Sequence, residues 1–129
     1  MSTTVVQRRV RYLVLAIGTI VTGLIVHLGG GILPPALRDG LGDALWAMMI
    51  VWLVSVVATR VPLRTRGLLA FAICVAVELS QLYQTPFLNA VRNTLPGRLV
   101  LGRGYDPHDF LAYAAGAVVA VIVARVKIE

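Results

Sequence analysis

The chain has 129 residues, 58% of them hydrophobic and 14% charged, with a mean hydropathy of +0.84. A soluble domain of this size has too little interior to hide that much apolar surface, so the balance excludes disorder and an ordinary soluble enzyme and makes a bilayer the expected solvent. The net charge of +6 comes from eleven Arg and Lys127 against six acids; these cations stand in short groups and form no basic helix face, so nucleic acid is not an expected partner.

The first uncharged run, Tyr12 to Leu37, is 26 residues long. A spanning helix needs about 20 mostly apolar residues, and the run predicts one over Tyr12–Leu28. Gly29-Gly30-Gly31 and Pro34-Pro35 are expected to end it and to forbid a restart. Arg8, Arg9 and Arg11 also fit the head of a cleaved signal peptide. Three more apolar runs follow, so the segment is expected to be retained as a helix of a bundle.

Ala44 to Thr59 gives a second uncharged run and predicts a helix over Gly42–Arg60, opened by Asp43. Gly67 to Val91 carries one charge, Glu78, and predicts a helix over Arg66–Tyr83. The loop from Gln84 to Pro107 mixes Leu88, Val91, Leu95, Leu99, Val100 and Leu101 with Arg92, Arg98 and Arg103. That mixture fits an interfacial or re-entrant segment. Phe110 to Ala124 predicts the last helix, over His108–Val126, with Asp109 near its positive dipole end. The expected architecture is all-α: residues 1–129 as a single domain of four transmembrane helices, with a longer outer loop between the third and fourth.

Lys and Arg in short loops set orientation. Eight of the twelve cations fall on the side of the termini and four on the other. Both termini are therefore expected in the cytoplasm. The acids divide the opposite way: Asp39, Asp43, Glu78, Asp106 and Asp109 lie toward the outer face, and Glu129 alone lies inside.

Helical spacing groups these residues further. Gly67, Phe71, Cys74, Glu78 and Gln81 fall on one stripe of the third helix. Asp109, Tyr113, Gly116, Ala120 and Ala124 fall on one stripe of the fourth. Ala112, Gly116, Ala120 and Ala124 repeat a small residue every fourth position, the pattern that lets backbones approach closely. An ionisable group inside a span costs at least about 2.5–3.5 kcal/mol, which makes Glu78 a candidate site residue by default. The bland reading is a structural pair with a loop arginine, and Arg92 is the expected partner. Asp43, Glu78, Gln81, Arg92, Asp106 and Asp109 form the expected ligand-binding set, with no catalytic residue, metal or cofactor assigned. Asp106, His108 and Asp109 offer ligand atoms within four residues, but a metal would need more from other helices. Cys74 stands alone, which excludes an intramolecular disulfide and a cysteine-rich metal site.

The stretches GDALWAMMIVWLV, VELSQLYQTPFLNAVRNT and LVLGRGYDPHDFLAYAAG resemble the uncharacterised bacterial family called domain of unknown function 2809. The resemblance implies a small four-helix membrane protein without an assigned activity. A more distant likeness is to VanZ-like proteins, associated with teicoplanin resistance. Asp43, Glu78, Gln81, Arg92, Asp106, Asp109 and Gly116 match their pattern, whereas Ala47 and Tyr113 stand where that pattern has His and Asn.

Three functions compete at this point. The first is a non-catalytic protein of the bacterial inner membrane whose outer-facing polar site takes an envelope lipid or a glycopeptide-like ligand. The second is a proton-coupled transporter using Glu78, which needs a homodimer because four short helices leave too little wall for a pore. The third, an enzyme using Glu78, Asp109 and His108 as acid and base, lacks a motif and ranks last. Membrane lipid is the expected partner in every case.

Overall fold

A computed structural model describes residues 3–29, 31–83, 85–94 and 107–129. Among the described residues it contains five helices and no strand: α1 (Thr3–Leu28), α2 (Pro35–Val57), α3 (Leu63–Ser80), α4 (Pro86–Arg92) and α5 (Asp109–Lys127). Three of them, α1, α2 and α5, are long and apolar enough to cross a membrane by length and composition. The third long helix, α3, carries Arg64, Arg66 and Glu78 and is not among those three.

The boundaries depart from expectation in instructive ways. α1 begins at Thr3, nine residues before the uncharged run, because arginine is a good helix former and its charge does not stop a helix. The chain also restarts sooner than the prolines suggest. Pro34 occupies the N-cap of α2 and Pro35 its first turn, where proline's fixed φ suits a helix and its missing N–H is no loss. As a result Asp43 does not open α2; it lies eight residues inside it. In the loop, Thr85 caps a seven-residue helix, its hydroxyl accepting from Leu88 N at 3.1 Å. At the start of α5, His108 rather than Asp109 takes the N-cap, and Asp109 is the first helical residue.

α2 is the centre of the packing. It contacts α1, α3 and α5, and α3 also contacts α5. The buried side of α5 is the small-residue stripe: Tyr113, Gly116, Ala117, Ala120 and Ala124. At Gly116 a Cβ would run into the backbone of Ala44, so α5 and α2 touch there main chain to main chain. Gly67 is similarly crowded by Val121 of α5. The predicted stripe of α3 also faces inward, with Gly67, Cys74, Glu78 and Gln81 buried and Phe71 half-buried. Large apolar side chains point the other way. Val14, Ile17, Ile25, Leu111, Val118, Ile122 and Val126 are all exposed. Small residues inside and large apolar ones outside is the arrangement expected where lipid is the solvent.

Candidate functional site

Three helices bring carboxyl groups to one end of the bundle. Glu78 sits in the last turn of α3 and is fully buried. Asp109 opens α5. One turn later Tyr113 donates its hydroxyl to Glu78 Oε2 at 2.8 Å. Asp43 of α2 meets the Asp109 carboxyl at hydrogen-bond range, with Glu78 and Asp39 close by. The contact of Gly116 with Ala44 explains the convergence: with no side chain between them, the first half of α2 and the start of α5 lie close enough for the two aspartates to meet. The arrangement presents carboxyl oxygens that can accept hydrogen bonds from a donor-rich ligand. Among the described residues, no group of three or more His, Cys, Asp and Glu is placed to hold a metal ion.

The remaining expected residues divide. Gln81 is buried at the C-cap of α3, next to the cluster in sequence. Arg92 is buried but does not pair with Glu78. Its guanidinium donates to the carbonyls of Ser80 at 2.9 Å and Tyr83 at 3.1 Å, and to Asn89 Oδ1 at 3.5 Å. The carbonyls at and just beyond the end of α3 lie at the negative pole of that helix, and they accept from both Nη atoms of the arginine that α4 delivers to them. Asp106, Arg98 and Arg103 lie outside the described residues.

A second polar centre, at the opposite end, was not anticipated. Arg66 of α3 is 1% exposed and binds the Glu129 carboxylate at 2.7 Å. It also donates to Val61 O at 2.8 Å, Ser55 Oγ at 3.1 Å and the Tyr12 hydroxyl at 3.4 Å. Tyr12 donates in turn to Glu129 at 3.1 Å, and Arg8 binds the same carboxylate at 3.2 Å. Tyr12 stacks on Trp52, whose indole N–H donates to the Thr19 hydroxyl at 3.1 Å. Partial burial alone would raise the Glu129 pKa, but the hydrogen bonds from Arg66 and Arg8 outweigh it and hold the carboxyl below its usual range. One signal in the sequence pointed here: Glu129 is the lone acid at an end that carries eight cations.

Membrane-crossing helices with lipid-suited exteriors, packed through small residues and carrying a carboxyl cluster at one end, define an all-helical membrane protein. The family model described as Protein of unknown function (DUF2809) matches residues 32–117, and the chain belongs to that family. No solved structure matches the chain.

Proposed function

We propose that α3 is a fourth crossing and that the protein is a non-catalytic, four-span protein of the bacterial inner membrane. In this reading both termini are cytoplasmic and the carboxyl cluster faces outward. There it holds a donor-rich group of an envelope lipid or of a glycopeptide-like ligand. The observation that carries the reading is the convergence of Asp43, Glu78 and Asp109 from three helices, with Tyr113 bonded to Glu78. Because Arg92 is engaged with carbonyls, the described part of the site presents acceptors rather than cations. That favours sugar hydroxyls or an amine over a phosphate. The match of Asp43, Glu78, Gln81, Arg92, Asp109 and Gly116 to the VanZ-like pattern supports the same class of ligand.

Thermal unfolding of the protein in nanodiscs tests it, with and without a teicoplanin-type glycopeptide and with phosphatidylethanolamine as the lipid probe. The parent should be stabilised by one of them, and Asp109→Asn should lose the shift while keeping its helical content. Equal shifts in parent and variant would remove the cluster as the site. Orientation is tested by an impermeant thiol reagent on intact cells, in a Cys74→Ala background. Arg64→Cys should be shielded and Arg98→Cys labelled; the reverse pattern turns the cluster to the inner face.

The full burial of Glu78 favours one second reading, a proton-coupled transporter that uses this carboxyl. It requires a homodimer. Cross-linking of the reconstituted protein that traps only monomer at every protein density excludes it.

A further inference from the structure

At the end of the bundle opposite the carboxyl cluster, α1 turns a polar stripe toward the residues that follow α5. Thr4, Gln7, Arg8 and Arg11 stand at i, i+3, i+4 and i+7, one face of a helix. With Ile128 and Glu129 they line an open cavity of about 360 Å³. That lies within the range of small-molecule sites, about 300–1,000 Å³.

The walls carry an uneven charge. Glu129 is committed to Arg66 at 2.7 Å, and Arg66 itself is buried behind the cavity rather than lining it. That pair neutralises itself. Arg8 reaches the same carboxylate through Nη1 alone, at 3.2 and 3.3 Å, so its other N–H donors are not spent on it. Arg11, one turn further along α1, is exposed and faces the same space. The lining therefore carries two guanidinium groups and one side-chain carboxylate, which Arg66 already shares.

We propose that this cavity binds a phosphate group. The planar guanidinium fork matches phosphate oxygens two at a time, so Arg8 and Arg11 supply charge and direction together. The Thr4 hydroxyl and the Gln7 amide add neutral donors on the same stripe. The phosphate belongs either to the headgroup of an anionic phospholipid in the adjoining leaflet or to a free phosphate; both present the same chemistry to the arginines.

The test uses the full chain in a neutral detergent, with bound ligand counted by native mass spectrometry across a concentration series. One arm adds short-chain phosphatidylglycerol and the other inorganic phosphate. Saturable binding is expected in one arm, and Arg11→Gln should weaken it on the order of tenfold, the loss of one charge-assisted hydrogen bond. Arg11 is exposed, and the helical content of the variant should match that of the parent. Arg8→Lys should retain part of the affinity. Arg64→Gln, an exposed cation on α3 at the same end, should leave it unchanged. Saturation by phosphatidylglycerol alone assigns the headgroup, and saturation by inorganic phosphate with the same Arg11 dependence assigns the free ion. Absence of saturable binding in both arms overturns the site. So does an equal loss in Arg64→Gln, which would reduce the effect to diffuse surface charge. Neither failure touches the reading of the carboxyl cluster.

Discussion

Arg66 and Glu129 lie 63 residues apart in sequence and meet at 2.7 Å, fastening the start of α3 to the second residue after α5. The two partners are not equivalent. Arg66 is almost fully buried, whereas the Glu129 side chain keeps 20% of its surface in contact with the surroundings.

That inequality makes the loss of each partner differ. Glu129→Gln leaves a buried guanidinium with only neutral acceptors, and breaking a buried pair in this way costs about 3–5 kcal/mol. Arg66→Met removes the buried charge itself and frees Glu129 toward solvent, so it should cost less. Unfolding of both variants in detergent orders the two losses. A greater loss from Arg66→Met would show that packing, not the uncompensated charge, dominates.

The same pair sets an acid limit. The Glu129 carboxyl is held below its usual value, so it binds protons less readily folded than unfolded. Its contribution is fully present above the unfolded value, about 4.3, and is lost as pH falls through the lower folded value. The melting temperature of the parent should fall on acidification below about pH 4.3, and Glu129→Gln should show a shallower fall over that range. Parallel curves for parent and variant would sever the acid sensitivity from this residue.

Two glycine-to-alanine changes should have opposite signs. At Gly116 the new methyl meets the backbone of Ala44, which cannot rotate away, and overpacking of this kind costs about 1–3 kcal/mol. At Gly18 nothing lies within 4 Å of the new Cβ. There the gain in helix propensity, about 0.4–1 kcal/mol, is expected to raise stability. Melting temperatures that move together would contradict the close contact of α2 with α5.

Tyr113→Phe removes the hydroxyl that satisfies Glu78, leaving a buried acceptor short of one bond at about 1–3 kcal/mol. Glu78→Gln should couple to it in a double-mutant cycle. The cycle of Glu78→Gln with Arg92→Gln should instead be additive within about 0.5 kcal/mol, because Arg92 bonds Ser80, Tyr83 and Asn89. A coupling well beyond that would return Arg92 to the carboxyl cluster.

The legible features were those that local periodicity encodes. The stripe through Asp109, Tyr113, Gly116, Ala120 and Ala124 follows from helical spacing alone, and so does the inward turn of Cys74 and Glu78 on α3. The grouping of Asp43, Glu78 and Asp109 at one end follows from counting charges along an up-and-down chain. Partner choice was not legible. Arg92 and Glu78 suited each other in charge, but the nearer carbonyls of Ser80 and Tyr83 compete for the same guanidinium, and sequence does not display backbone acceptors. Arg66 read as a flanking cation that would reach toward water. Only the folded chain shows Ser55, Tyr12 and Glu129 arriving from three other segments to hold it. The early start of α2 was hidden because proline breaks a helix in its interior yet begins one well, and position within the helix decides between the two.

The dependence of Arg66 on Glu129 also orders the making of the protein. During synthesis α1 and α2 can pair through their apolar contacts as soon as both have left the ribosome, and Arg8 of α1 and Asp43 of α2 meet Glu129 and Asp109 only later. α3 waits for the same carboxylate as Arg8, and its buried guanidinium meets Glu129 only after 63 further residues have been translated. A stalled or truncated chain would thus present an unneutralised arginine within the half-built bundle.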